Sequence, residues 1–595
     1  MLWTVLALEC AGRCCTRTTM DVEYVRGRVE HEGLSFLTIT LPRFGKDFEK
    51  SLDQGKVTRN LFQGFTWKAG LPRFLGGFLE SVFDRNTGVL LENPNIDAIL
   101  SIRQLTLMFG KILVPCSEER VRGAIEGYLE CEQDVRETDR SLSNSDRHLF
   151  RSVSSALFRD LFLQLDQEVF DRTVVPKHGP GATADKLRGN SKYRLRTWTT
   201  RLEEIFPSGE FLAANSSFVD ELDVDILEPG AEIPVEVIAV PKTLKTPRII
   251  AKEPTHMQYM QGGLQLLIYD RVQRSDTLRP MIGFLDQTPN QRLAKKGSRT
   301  GNLATLDLSE ASDRVSNQIV REMLSNYPHL HWAVDACRSR KADLTQFDKG
   351  IIRLAKFASM GSALTFPIEA MVFLTCCFIA ISQELNTPVD DDLIRRFRHR
   401  VRIFGDDIIV PKEYVHRVVD VLEHFGAKVN VDKSFWTGRF RESCGKEFFD
   451  GEDVSIVRFR REFPAHLGHA AEVTSLVAFR NQLYFAGYWA TCKWLDEYIR
   501  DLLRYFPVVL PSSPALGRHS FLGYETQKLS RNTFTPLVKA YRRFEDPPSD
   551  VLDGHGALLK FFLKRGESPS FDERHLERAG RPRTVSIKPR WVPAV

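Results

Sequence analysis

An α+β fold, an antiparallel sheet backed by helices, is what this sequence predicts, and three stretches predict it. Residues 401–410 hold two short runs rich in β-branched residues on either side of Gly405-Asp406-Asp407, the pattern of a hairpin with a glycine-marked tip. Residues 303–324 read as a short apolar strand ending at Asp307, then Ser and Asp residues ahead of the helically spaced Ile319, Val320, Met323 and Leu324. Residues 368–381 are apolar on every side, which suits a core helix rather than a surface one.

The remaining elements follow along the chain. Met1 to Cys10 is apolar and short and lacks a basic leader, so an unstructured or mis-assigned start is expected, with Met20 as the alternative beginning. Residues 20–230 mix helical and loop patterns and include His178-Gly179-Pro180-Gly181-Ala182-Thr183, a turn-rich loop whose glycines allow close backbone approach. Val240-Pro241-Lys242-Thr243-Leu244-Lys245-Thr246-Pro247-Arg248 is a basic stretch that its two prolines keep extended. Ser359-Met360-Gly361-Ser362-Ala363-Leu364-Thr365 is a small-residue loop leading into the core helix. An amphipathic helix through Val415, Val418 and Leu422 ends at Gly426 and gives way to a strand-like 427–431. Residues 476–498 are helical in pattern, and a Pro- and Arg-rich tail begins at Gly580. No internal repeat is present.

Composition bounds the function. With 595 residues, 42% hydrophobic and 27% charged, the chain can build several cores and is not disordered. The net charge of +5 is mild, but Lys and Arg concentrate at 172–202, at 240–252 and after Lys560, the local stripes that suit a polyanion. Ten cysteines without a CxxC or Cys/His pattern read as reduced thiols without structural zinc, in a cytosolic setting. No run of about 18 apolar residues marks a membrane span.

The candidate chemistry centres on acids. Asp406 and Asp407 repel one another unless solvated or neutralised by a cation, and their hard oxygens suit Mg²⁺ or Mn²⁺. Asp307, at a strand end, is placed to face the hairpin tip. Three carboxylates holding two ions about 3.5–4 Å apart are equipped for in-line phosphoryl transfer. Lys242, Lys245 and Arg248 put three cations on one stiff segment, fit to hold a triphosphate. Gly361 gives the 359–365 loop its freedom, and Ser359 and Thr365 offer hydroxyls to template or nucleotide.

In this order the blocks resemble the replicase of the single-stranded RNA bacteriophages, the levivirus RNA-directed RNA polymerases, over roughly 170–460. The resemblance rests on the 240–254 block, Asp286-Gln287 with Asn290-Gln291-Arg292-Leu293-Ala294, the Asp307 segment, the 359–369 loop, the Gly405-Asp406-Asp407 hairpin, Asn430-Val431-Asp432-Lys433-Ser434 and Arg441-Glu442-Ser443-Cys444-Gly445-Lys446-Glu447. It implies a right-hand polymerase: 1–230 as N-terminal region and fingers, 231–300 as fingers with the triphosphate motif, 301–460 as palm, and 461–595 as thumb and basic tail. Further implications are Asp307, Asp406 and Asp407 as catalytic metal ligands, Lys433 as the acid that protonates pyrophosphate, Ser312 or Asp313 as the reader of the ribose 2′-hydroxyl, and primer-independent copying of a positive-strand RNA genome in the infected bacterial cytoplasm. Implied partners are single-stranded RNA template, ribonucleoside triphosphates, host elongation factors Tu and Ts and a host ribosomal RNA-binding protein, with no membrane. The rivals are a reverse transcriptase, disfavoured because Ser309, Glu310, Ala311 and Ser312 supply no bulky aromatic, and a catalytically silent RNA-binding scaffold, disfavoured because all three acids are present.

Overall fold

Asp407–Pro411 is the middle strand of a three-stranded antiparallel sheet, with Arg402–Phe404 on one side and Leu303–Leu306 on the other. The computed structural model describes residues 1–546, 550–565 and 584–595. Ile408 pairs with Ile403 across the hairpin and with Leu306 across the second ladder. Leu303, Ala304, Leu306, Ile408, Ile409 and Val410 are all buried, which explains why these strands read as continuous apolar runs rather than alternating ones.

Behind the sheet lies the helix Thr365–Leu385, packed against the helices Asn144–Phe170 and Val415–His424. It is buried from Pro367 to Ile381, and Thr375 satisfies its hydroxyl by donating to the Met371 carbonyl at 2.9 Å. This helix corrects the expectation that no segment reaches membrane-spanning length: it is long and apolar enough by length and composition. Its surroundings are protein on every side, and Cys376 and Cys377 sit there as buried free thiols.

The basic stretch is the loop of a second hairpin. Val235–Val240 pairs antiparallel with Arg248–Lys252, and the sheet continues through Lys341–Asp343 and Ile351–Arg353. Two groups near the start of the helix Glu118–Ser141 hold the loop: Arg120 donates to the Leu244 carbonyl at 2.7 Å and the Cys116 thiol to that of Thr243 at 3.1 Å. At Gly361, φ is +139° and a Cβ would stand 1.8 Å from the Ala251 carbonyl, so only glycine lets the small-residue loop lie against this hairpin.

The start of the chain is ordered, against expectation. Leu2–Arg13 is a helix burying Leu2, Trp3, Leu6, Ala7 and Cys10, and the Trp3 indole donates to the Leu105 carbonyl at 2.8 Å. Glu9 accepts the backbone N–H groups of Ala490 and Thr491, both at 2.8 Å, at the first turn of the helix Trp489–Leu502. The apolar residues of this short start are the buried face of a packed helix. Residues from Leu2 to Ile112 share a core with Phe435, Phe440, Phe449 and the C-terminal helices, whereas those from Leu142 to Leu212 belong to the core around the central sheet. The expected unit 1–230 therefore contributes to two cores. Within the first of these cores Arg103 ties distant segments together: fully buried, it meets Glu49 at 2.8 Å and Glu447 at 2.9 Å.

The helix expected at 476–498 is two, Ala470–Phe485 and Trp489–Leu502, separated where Gly487 takes a φ of +82°. Of the Pro- and Arg-rich tail, residues 580–583 lie outside the described residues, while Thr584–Pro593 is a strand paired with Pro536–Asp546. Truncating a buried tryptophan typically removes about 3–5 kcal/mol. Trp3→Ala is accordingly expected to lower the urea midpoint of unfolding, and an unchanged midpoint would mean the first helix is not part of the core.

Candidate active site

Leu306 faces Ile408 across the ladder, so the next residue on one strand and the preceding residue on the other, Asp307 and Asp407, emerge at the same end of the sheet. Asp406 stands exposed at the hairpin tip, where Gly405 has a φ of +61°. A Cβ on Gly405 would lie 2.3 Å from the Phe366 ring, so this turn too requires glycine.

Residues 429–435 run antiparallel beside Asp307 through the bridges Leu308 to Val429 and Thr305 to Phe435. The Asp307 N–H donates to the Ser434 hydroxyl at 3.1 Å, and its carbonyl accepts from the Asn430 N–H at 2.8 Å. Its carboxylate receives the Asn430 amide at 2.9 Å and the Lys433 ammonium at 3.2 Å to each oxygen. Asp407 accepts the Cys444 N–H at 3.1 Å.

The acids crowd one another. Burial, then the charges of Asp406, Glu442 and Asp307, push Asp407 up to about 7. Asp307 is raised by burial, an effect Lys433 opposes and Asp406 reinforces. Among the described residues, no group of three His, Cys, Asp or Glu side chains stands close enough to hold a metal as placed. The donor chemistry fits a hard divalent cation all the same: three carboxylates converge on one end of a sheet, and two of them are raised by burial and their shared negative charge.

Lys242 feels the same field. Its ammonium is lowered by desolvation first and then by Arg248 and Lys433, while Asp307 and Asp406 act in the opposite sense. Arg248 opens its strand opposite Val240, and both it and Lys245 are exposed. The basic loop thus faces the acidic strand ends.

Ser312 and Asp313 are both engaged. The Ser312 hydroxyl donates to Glu369 at 2.8 Å, and burial raises Glu369 to about 8, with Asp406 and Asp313 adding to the effect. Asp313 pairs with Lys356 at 3.1 Å, a fully buried lysine that also lies 3.6 Å from the centre of the Tyr128 ring. The hydroxyls of Ser359 and Thr365 point inward: Ser359 meets the Tyr128 hydroxyl at 3.0 Å and Thr365 donates to the Ser359 carbonyl at 3.0 Å. They shape the loop rather than project from it. In the 178–183 loop, the Gly179 and Gly181 carbonyls accept from Lys192 at 2.7 Å, while His178, buried and stacked 4.2 Å from Tyr259, is pushed down to about 3 by desolvation.

Sequence reasoning missed Lys356; it singled out Glu369, Asn430 and Ser434 within their motifs but not the partners they hold, Ser312 for Glu369 and Asp307 for the other two. Lys356 left one trace, a single charge inside the otherwise apolar Leu354-Ala355-Lys356-Phe357-Ala358. The 286–294 block supports the hairpin from behind: Asn290 accepts from Arg402 at 2.7 Å, and Arg402 also donates to the carbonyls of Arg279 and Pro280.

An antiparallel sheet with acids at two adjacent strand ends, faced by a cationic hairpin, is suited to holding hard cations against a triphosphate. Residues 232–482 match the family described as RNA replicase, beta-chain, so this central segment is similar to that of a replicase beta chain. The chain is 38% identical over 218 residues to the RNA-directed RNA polymerase beta chain of Enterobacteria phage fr, covering 37% of this chain and 36% of that one. It is 37% identical over 218 residues to the beta chain of Escherichia phage MS2, with the same coverage, and 35% identical over 234 residues to the subunit beta of Escherichia virus Qbeta, covering 39% and 36%. The matched segment therefore spans little more than a third of these relatives. Among solved structures, the RNA-dependent RNA polymerase of a human picorbirnavirus aligns at 13% identity with a TM-score of 0.33, over 44% of this chain and 56% of that one. The levivirus resemblance read from the motifs is borne out, with the family match running from 232, not from about 170, and reaching past 460 to 482.

Asp407 keeps its proton to about pH 7 when folded, against an ordinary value of 3.8. Between these values the folded state binds the extra proton, so stability falls as pH rises. In divalent-free buffer, Asp407→Asn is expected to melt above the parent chain at pH 8, with the gap closing toward pH 4. A gap that does not change with pH would contradict the crowding.

Proposed function

We propose that the chain is the catalytic subunit of a phage RNA replicase, an RNA-directed RNA polymerase that copies a positive-strand genome from ribonucleoside triphosphates. The observation that carries this reading is the emergence of Asp307 and Asp407 at one end of adjacent strands, with Lys433 on Asp307 and Lys242 in the same field.

In this reading Lys242, Lys245 and Arg248 grip the triphosphate, Arg248 through two phosphate oxygens at once. Asn430 and Ser434 fix Asp307, so the acid is positioned before substrate arrives. Lys433, already an ammonium against a carboxylate, is placed to hand its proton to departing pyrophosphate. Two divalent ions, Mg²⁺ or Mn²⁺, held by Asp307, Asp406 and Asp407 would favour ionisation of the attacking 3′-hydroxyl and neutralise charge on the phosphates. Ser312 and Asp313, each fixed by a buried partner, are the candidates for reading the 2′-hydroxyl, and Gly361 seats their neighbouring loop on the basic hairpin.

Residues 301–460 serve as palm, the basic hairpin as part of the fingers and the segment after 461 as thumb. The levivirus relationship supports primer-independent initiation, a bacterial cytoplasmic setting, and work alongside elongation factors Tu and Ts and a ribosomal RNA-binding protein.

The test is nucleotide incorporation by the purified chain on single-stranded RNA with Mg²⁺, with and without bacterial extract. Ribonucleotides only are expected to be incorporated, Asp406→Asn to abolish the reaction, and Lys433→Met to slow it by about 10²–10⁴-fold. Incorporation undiminished in Asp406→Asn would overturn the reading, and acceptance of deoxyribonucleotides would favour a reverse transcriptase.

A further inference from the structure

The strands Pro536–Asp546 and Thr584–Pro593 form a long antiparallel ribbon, with Val538 opposite Val592, Ala540 opposite Arg590, Arg542 opposite Lys588 and Phe544 opposite Ser586. Strand alternation puts all of these on one face. At one end of that face, Val538, Ala540, Val592 and Ala594 are buried with Val509 and Ala515. Further along it leaves the core, and Arg542, Lys588 and Arg590 are exposed.

Like charges directly opposite one another destabilise a strand pair, and here Arg542 faces Lys588 with Arg590 beside them. Among the described residues, none of the three has an acidic partner, whereas Arg543 on the other face pairs with Glu545. The guanidinium groups of Arg542 and Arg590 each lie 5.8 Å from the centre of the Phe544 ring, one from each strand. Three cations without an acidic partner among the described residues, two of them beside a partly exposed aromatic ring, form a surface for an anion that also carries flat rings. Single-stranded nucleic acid supplies both, phosphates for the cations and unstacked bases for the ring. A duplex hides its bases, and an acidic polypeptide has none.

We propose that this face of the C-terminal ribbon is a binding surface for single-stranded RNA, separate from the acidic strand ends. The proposal rests on the polymerase reading only in choosing RNA over DNA as the strand.

The test is fluorescence anisotropy of a labelled twelve-nucleotide single-stranded RNA with the full chain, across a range of KCl. In the triple variant Arg542→Gln, Lys588→Gln, Arg590→Gln, affinity is expected to fall on the order of 10–100-fold near 0.1 M salt, and the salt slope to shrink by roughly 0.7 for each phosphate no longer neutralised. Phe544→Ala is expected to weaken binding by about 5-fold or more because a base can no longer stack there. Lys528→Gln with Lys539→Gln, on the opposite face, serves as the control and is expected to leave affinity within about two-fold. A 4-thiouridine RNA is expected to crosslink to the ribbon in the parent chain and not in the triple variant. Unchanged affinity and slope with persistent absence of ribbon crosslinks, an equal weakening in the control, or displacement by polyglutamate of equal charge would each overturn the proposal. Anisotropy does not depend on catalysis: if the chain incorporates no nucleotide yet binds RNA with this dependence on the ribbon, the ribbon stands and the polymerase reading falls.

Discussion

The ladder between Leu303–Leu306 and Asp407–Pro411 sets Leu306 against Ile408, and a slip of one residue would turn each side chain to the other face. Asp307 and Asp407 share a sheet end only in this register. It is locked from several directions. Ile408 and Leu306 are buried, Thr305 and Leu308 bridge to the 429–435 segment on the far edge, and Ile403 bridges to Ile282 on the other. Arg402, inside the hairpin, is fastened to Asn290 and two carbonyls, so the tip can neither slide nor lift without leaving a buried guanidinium unpaired.

On this frame the electrostatics are arranged in opposition. The sheet end gathers Asp307, Asp406, Asp407 and the nearby Glu442, and the structure answers with Lys433 on one acid and Lys242 across the gap. Lys433, bonded to Asp307, and the exposed Lys242 offset part of that charge and leave the rest for a cation or a substrate. Glycine makes the approach close: Gly405 admits the Phe366 ring beneath the tip, and Gly361 admits the Ala251 carbonyl of the basic hairpin. The core helix Thr365–Leu385 begins between these contacts and carries Glu369 to Ser312, so the central sheet and the basic hairpin share one support.

Much of this was legible in the sequence because it is local. The hairpin, the strand ending at Asp307, the all-apolar helix and the extended basic loop each follow from periodicity and turn chemistry within about twenty residues. What was not legible depends on contacts between distant segments. Arg103 meets Glu447 across the sequence, and Trp3 reaches Leu105, so a start that reads as unstructured is a core helix. Lys356 looks like a stray surface charge until Asp313 and Tyr128 are brought to it. Ser359 and Thr365 read as available hydroxyls because sequence shows residue type and not direction; the fold turns both inward.

The central claim is that Asp307, Asp406 and Asp407 act as one cation-binding set. Electron paramagnetic resonance of Mn²⁺ titrated into the purified chain tests it most directly, because free and bound ion give distinct signals. Saturable binding in the parent chain that is abolished in both Asp307→Asn and Asp407→Asn is the predicted result. Binding of equal tightness in either variant would contradict the claim.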